Sequence, residues 1–284
     1  MTLGTFRYER PSSLDEAIRQ AVEAPGARWL AGGMSLLPLM KMELAAPPAL
    51  VDLAGVEDLV GVRERDDVLW VGAMTRHAEL ALHPLVARHA SLLAAAASQV
   101  GDPQVRNRGT IGGSLAHADP AADLPAAVLA LDATIQVASP RGRRGIPAGG
   151  FFLGPLMTAL EPDEVIVAVT VPQRGARRQA YRKRPHPASG YAVVGIAASL
   201  RWEGDRVASA AVAVTGVADH AFRAQRTEAL LTGEVLTDAL LVEASGVVTD
   251  GQEVWGDLYA SAEYRRHLAG VTTRQVLEHL RADG

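Results

Sequence analysis

Two glycine-bearing segments carry the clearest chemistry in this chain: Ala31-Gly32-Gly33-Met34-Ser35 and Thr110-Ile111-Gly112-Gly113-Ser114. Each follows an apolar run or extended stretch, ends in Ser and leads into helical patterning. Glycine reaches positive φ and lets a ligand approach the backbone closely. Consecutive N–H groups at a helix start then bind phosphate oxygens without a charged side chain. Either segment alone also fits an ordinary β-to-α turn. Together they read as two jaws for one long anion, and a dinucleotide pyrophosphate is the natural occupant.

Other side chains near these loops have two readings each. Asp123 falls on the first turn of an expected helix. It either complements the helix dipole or accepts hydrogen bonds from ribose or ribityl hydroxyls. His117 reads as a cap or surface residue. Met34, at a loop tip, has no hydrogen to donate from its side chain and reads as a packing residue. Of 28 basic residues only Lys41 and Lys183 are Lys. GC-rich coding accounts for the Arg excess, and a Lys surviving it marks a place where a planar fork does not replace a point ammonium.

Composition narrows the function classes. With 284 residues, 48% of them hydrophobic, the chain has enough apolar material for two domains. Net charge is −4 and no basic patch suggests nucleic acid. Cysteine is absent, which excludes disulfides, thiolate metal sites, iron–sulfur ligation and a cysteine nucleophile in this chain. The His residues show no His-Glu-x-x-His pattern. No run reaches the ~18 uninterrupted apolar residues of a membrane span, and Met1 to Arg7 lacks a signal-peptide apolar region. A cytoplasmic protein is expected.

The elements that position the loops follow from patterning. Ser13-Leu14-Asp15-Glu16 forms a capping box ahead of a helix that Pro25-Gly26 ends. A strand over 27–31 delivers the first loop, a helix over 35–44 leaves it, and a strand over 49–53 follows. Strands are expected at 68–73, 134–138 and 164–171. Thr75 is expected to cap a helix to Leu82, and Pro84 to open one running towards Val100. Asp119 is placed to cap a helix over 120–131. Arg141 to Gly145 reads as a polar turn, and 172–179 as a linker. Beyond it, Gly190–Leu200 and Val207–Val217 read as buried strands of one hairpin. Helices are expected near 227–231, 237–247 and 261–280.

The run Leu30-Ala31-Gly32-Gly33-Met34-Ser35-Leu36-Leu37-Pro38-Leu39-Met40-Lys41 resembles the first flavin loop of the FAD-binding medium subunits of molybdenum hydroxylases. The run Gly109 to Ser114, with Asp119-Pro120-Ala121-Ala122-Asp123, is similar to the second. Val51-Asp52-Leu53 and Ser261-Ala262-Glu263-Tyr264-Arg265-Arg266 also fit, so the likeness spans nearly the whole chain in order. It implies an α+β fold: a two-part FAD-binding domain of the PCMH type over 1–174, with subdomains of about 1–55 and 56–174. A C-terminal sheet-plus-helices domain over 179–284, like that of carbon monoxide dehydrogenase flavoprotein, follows. The implied FAD contacts are Leu30, Ala31, Gly32, Gly33, Met34, Ser35, Leu36, Val100, Thr110, Ile111, Gly112, Gly113, Ser114, Asp123, Ile166, Lys183 and Tyr191. Both loops would hold the pyrophosphate, Ile166 would touch the adenine end, Val100 would line the cofactor, Lys183 would reach the flavin and Tyr191 would lie against its ring. Three positions depart from the pattern: Met34 replaces a polar residue, Ser114 stands where Asn is frequent, and Gly190 where an acidic residue often precedes the aromatic one.

The resemblance further implies a large molybdopterin-binding partner and a small [2Fe-2S] partner, assembled as a dimer of heterotrimers. Electrons would reach FAD from the clusters and leave to quinone, NAD or oxygen. No catalytic residue is expected in this chain. Two other readings stand beside this one: a self-contained PCMH-type flavin oxidase or reductase, and a non-redox nucleotide-binding module.

Overall fold

The computed structural model describes residues 4–173 and 175–282; the limits at 1, 174 and 284, and the first three residues of the N-terminal segment, lie outside them. Among the described residues, three sheets of three or more strands succeed one another along the chain, and Phe152–Gly154 pairs with Met157–Thr158 in a small two-stranded ribbon. The first is parallel, with Ala49–Asp52 between Arg7–Glu9 and Arg28–Leu30. The helix Leu14–Val22 sets Leu14 and Ala17 into a small core with Val51 and Leu53. Its Ser13 hydroxyl accepts the Glu16 N–H as the capping box predicts, while the Glu16 carboxylate reaches back to the Ser12 N–H.

The second sheet is antiparallel, ordered Val62–Arg65, Val68–Gly72, Val165–Pro172, Thr134–Ser139, Gly142–Pro147. Here the structure corrects four expectations. Thr75 does not cap the helix His77–Leu82. Arg76 precedes that helix, and the Thr75 hydroxyl is turned to both the N–H and C=O of Gly61. The helix expected from Pro84 is two, Pro84–His89 and Ser91–Ser98, parted at Ala90. The helix expected from Pro120 starts at Asp123, because Asp119 spends its carboxylate on the Ala121 N–H instead. Gly142–Pro147 is an edge strand rather than a turn; its exposed Arg and Gly residues leave no alternating apolar signal.

The third sheet is antiparallel, with order Arg178–Pro185, Ala192–Glu203, Arg206–Thr215, Phe222–Arg223. It is buried on both faces, which is why its central strands read as unbroken apolar runs. One face places Ile196, Ala198, Val212 and Val214 in a core with the long helix Ala262–Ala282. The other carries Tyr181, Ala197 and Ala213 and belongs to the main core, shared with the helices Ser91–Ser98 and Asp123–Ala130. Small residues on this face let the Ala-rich helix Asp123–Ala130 lie close. Thr215 fixes the approach by donating to the Pro120 and Ala122 carbonyls, and Ala192 N–H donates to Ala121. Among the described residues no helix is long and apolar enough to cross a membrane.

Candidate functional site

The two glycine segments meet. A Cβ on Gly32 would stand 2.2 Å from the Arg108 carbonyl oxygen and 2.7 Å from Gly109 Cα. One on Gly113 would lie 3.5 Å from the Ala31 Cβ. Glycine at position 32 is therefore a packing requirement between two backbones. Gly33 has φ +75°, the conformation that turns the chain from the strand Arg28–Leu30 into the helix Leu36–Lys41.

The two jaws use their backbone N–H groups differently. In the second, Ile111 N–H donates to Thr75, Gly112 N–H to Ala73, and Gly113 N–H to the Thr110 hydroxyl. Gly112 and Gly113 lie inside the first turn of the helix Ile111–His117, and its usual orphan donors are already spent. In the first, no acceptor among the described residues takes the N–H of Gly32, Gly33, Met34, Ser35 or Leu36. Five successive N–H groups without an acceptor flank an αL glycine, a donor set of the kind that takes anions. The second segment packs against the first as a close wall. Thr110 is its structural cap, and Thr110→Ala is expected to cost about 1 kcal/mol, read as a lowered urea midpoint at unchanged m-value.

The remaining candidates gather where the C-terminal sheet meets the helix Asp123–Ala130. Asp123 and Lys183, both buried, pair at 2.9 Å. Lys183 Nζ also donates to the Gln99 carbonyl at 2.6 Å and the Gly190 carbonyl at 2.8 Å. All three of its donors are thus used inside the protein. Asp123 likewise does not serve the helix dipole alone: Oδ1 accepts the Tyr181 hydroxyl at 2.5 Å. Burial pushes the Asp123 carboxyl upward, and Lys183 and Tyr181 oppose that shift. Burial, then the Asp123 charge, pushes the Tyr181 phenol well up.

Tyr191 is half exposed, and no partner among the described residues takes its hydroxyl. Burial, Asp119 and Asp123 raise its phenol. Val100 follows the Gln99 that Lys183 holds. Leu30 closes its strand and Leu36 opens the next helix. Met34 is exposed at the tip. Ile166 stands apart: it is buried in the main core at a bulge in its strand, which leaves little surface for the adenine contact implied for it. A separate cavity of about 620 Å³, bordered by Arg88, His89, Asp132 and Gln173, contains none of these residues.

Two side chains receive no role from the sequence. Tyr181 lies two residues before Lys183, on the same face of one strand, so a Tyr-x-Lys spacing was its available signal. His77, beneath Gly109, had none.

The family described as the FAD binding domain in molybdopterin dehydrogenase matches residues 4–174, and the CO dehydrogenase flavoprotein C-terminal domain matches residues 179–280. The chain belongs to the FAD-binding medium subunits of the molybdenum hydroxylases. Among similar proteins, the carbon monoxide dehydrogenase medium chain of Hydrogenophaga pseudoflava is 38% identical over 274 residues, 96% of each chain. The nicotine 6-hydroxylase medium subunit of Paenarthrobacter nicotinovorans is 35% identical, covering 98% of each. The solved carbon monoxide dehydrogenase from Hydrogenophaga pseudoflava superimposes with TM-score 0.96 at 39% identity, over 99% of both chains. Quinoline 2-oxidoreductase from Pseudomonas putida 86 gives 0.94 at 36% identity, over 100% of this chain and 99% of that one. This medium subunit therefore binds FAD, and its α+β fold is that of its relatives.

Proposed function

We propose that this medium subunit is an electron-relay component working with a large molybdopterin-binding subunit and a small [2Fe-2S] subunit, as a dimer of heterotrimers in the cytoplasm. When bound, FAD supplies the redox chemistry that takes electrons from the partner's clusters and passes them to quinone, NAD or oxygen. The observation that carries the reading is the nest of free N–H groups from Gly32 to Leu36 beside a glycine-close wall. That donor set fits a pyrophosphate, and no cationic side chain is needed there.

The chain's residues then divide the labour of holding the cofactor. The first loop takes the pyrophosphate, and Thr110 and Ser114 add hydroxyls. Ala31, Ile111, Gly112 and Gly113 keep the two walls together. Asp123, whose oxygens keep acceptor capacity beside the Tyr181 and Lys183 bonds, accepts from ribityl hydroxyls. Tyr191, with Val100 nearby, covers one face of the ring, and Leu30 and Leu36 line the apolar surroundings. The two domains divide between residues 174 and 179.

The test is purification of the chain with its native partners. Equimolar FAD released on denaturation, together with a molybdopterin subunit and an iron–sulfur subunit in one complex, is expected. An isolated chain that oxidises a substrate unaided would instead make it a self-contained flavin enzyme. A chain that binds nucleotide without flavin would make it a binding module.

A further inference from the structure

Lys183 is one of two lysines in a chain that otherwise uses Arg, and its surroundings explain why. Its ammonium faces three acceptors from three separated segments: the Gln99 carbonyl at 2.6 Å, the Gly190 carbonyl at 2.8 Å and Asp123 Oδ2 at 2.9 Å. A compact ammonium offers three diverging donors, whereas a planar guanidinium offers a fork. The pair is buried, with 3% of the Lys183 side chain exposed. Each acceptor also stands at a turning point of the candidate site. Gln99 precedes Val100, Gly190 precedes Tyr191, and Asp123 opens the helix behind both.

The neighbouring contacts make this a clamp. The second Asp123 oxygen is held by the Tyr181 hydroxyl. That hydroxyl has room only because position 195 is Gly: a Cβ there would stand 2.5 Å from it. The turn before Tyr191 closes on itself, with Gly190 N–H donating to His186 and His186 N–H to Tyr191. This turn abuts the 99–101 turn, where a Cβ on Gly190 would lie 3.6 Å from Gly101 Cα. Lys183 joins the two turns and ties both to the Asp123 helix.

We propose that Lys183 is a positioning residue: by holding the Gly190 and Gln99 carbonyls on Asp123, it sets where the Tyr191 ring stands against the flavin, and it makes no flavin contact itself. The proposal rests on the reading above that Tyr191 covers the isoalloxazine. It also differs from a role in which the ammonium touches the ring, since no donor is left for one.

Flavin fluorescence separates these roles, because a phenol against the ring quenches by electron donation and a phenyl ring does not. The experiment uses the full chain loaded with FAD and compares Tyr191→Phe, Lys183→Arg, Lys183→Met and the double variant Tyr191→Phe/Lys183→Met. Fluorescence lifetime and flavin potential are read for each. The charge-balanced Lys183→Met/Asp123→Asn keeps the test alive if Lys183→Met alone fails to fold. Tyr191→Phe is expected to lengthen the mean lifetime. Loss or replacement of the ammonium is expected to lengthen it about twofold, with no further gain in the double variant, because both changes act through one contact. If Tyr191→Phe leaves the lifetime unchanged, the reading of Tyr191 is wrong. If Tyr191→Phe lengthens it but the Lys183 variants do not, the clamp is overturned while that reading stands. A potential that shifts at unchanged lifetime would place the ammonium on the flavin itself.

Discussion

Gly32→Ala is expected to weaken FAD binding by about a hundredfold while leaving the apo chain folded. The added methyl meets backbone on the far side: Arg108 carbonyl oxygen at 2.2 Å and Gly109 Cα at 2.7 Å. Backbone cannot rotate away as a flexible side chain would, so the two segments must part by about an ångström, since heavy atoms in contact keep ~3.5 Å. The first loop then carries its N–H groups out of register with an anion. Two hydrogen bonds to a charged acceptor, at about 1.5–3 kcal/mol each, set the scale, because 1.4 kcal/mol is tenfold in affinity. Gly149→Ala is the control, because a Cβ there meets nothing within 4 Å. Titrating flavin-free protein with FAD measures both, and far-ultraviolet circular dichroism checks the fold. Affinity within about threefold of the parent would show that the first loop is not the principal phosphate site.

That asymmetry between the loops was out of reach from sequence, where Gly32-Gly33 and Gly112-Gly113 look alike. What distinguishes them is the neighbour that receives the N–H groups. Ala73 and Thr75 consume those of the second loop, and they lie far upstream in the chain. Local chemistry was legible where it was self-contained. Ser13 caps the helix Leu14–Val22 as its own residues dictate. The hairpin Ala192–Glu203 and Arg206–Thr215 is legible because burial on both faces writes a continuous apolar run. Thr75 and Asp119 deceived for the converse reason. Both have the right side chain for a cap, but Thr75 has a competing partner in Gly61 and Asp119 one in Ala121. The break at Ala90 has no Gly or Pro to announce it.

Family likeness carried the site further than patterning did, yet it left roles open. It brought Asp123 and Lys183 to the same list of contacts without stating that they bond each other. Their pairing spans 60 residues, so only the packed structure reveals it. Ile166 shows the opposite case: a matched position whose side chain faces the core.

Acid should loosen this protein through one histidine, by about 3 kcal/mol between pH 6.5 and 4. His77 opens the helix His77–Leu82 directly under the second loop, with its backbone N–H on the Gly109 carbonyl. Its ring is so close that a Cβ on Gly109 would stand 2.7 Å from Cδ2 and Nε2, and Nδ1 is buried without a partner. Burial alone holds its pKa down to about 4, from an ordinary 6.5. The folded state therefore keeps the ring neutral across a range in which the unfolded chain takes up a proton. Above pH 6.5 both states are neutral at this site and it contributes no pH dependence. As pH falls to about 4 the unfolded state gains, and stability drops by about 1.4 kcal/mol for each unit separating the two pKa values. Carboxylates also titrate near the lower end, so the decisive quantity is a difference. Urea unfolding of the parent and of His77→Asn, measured at intervals from pH 7.5 to 4, is expected to give stabilities that converge, or cross, as pH falls. A constant offset at every pH would mean that His77 is not the group responsible. Because the same Gly109 lies against Gly32, the loss should reach the cofactor. Flavin fluorescence released from the loaded parent should rise over this window, and His77→Asn should flatten that rise.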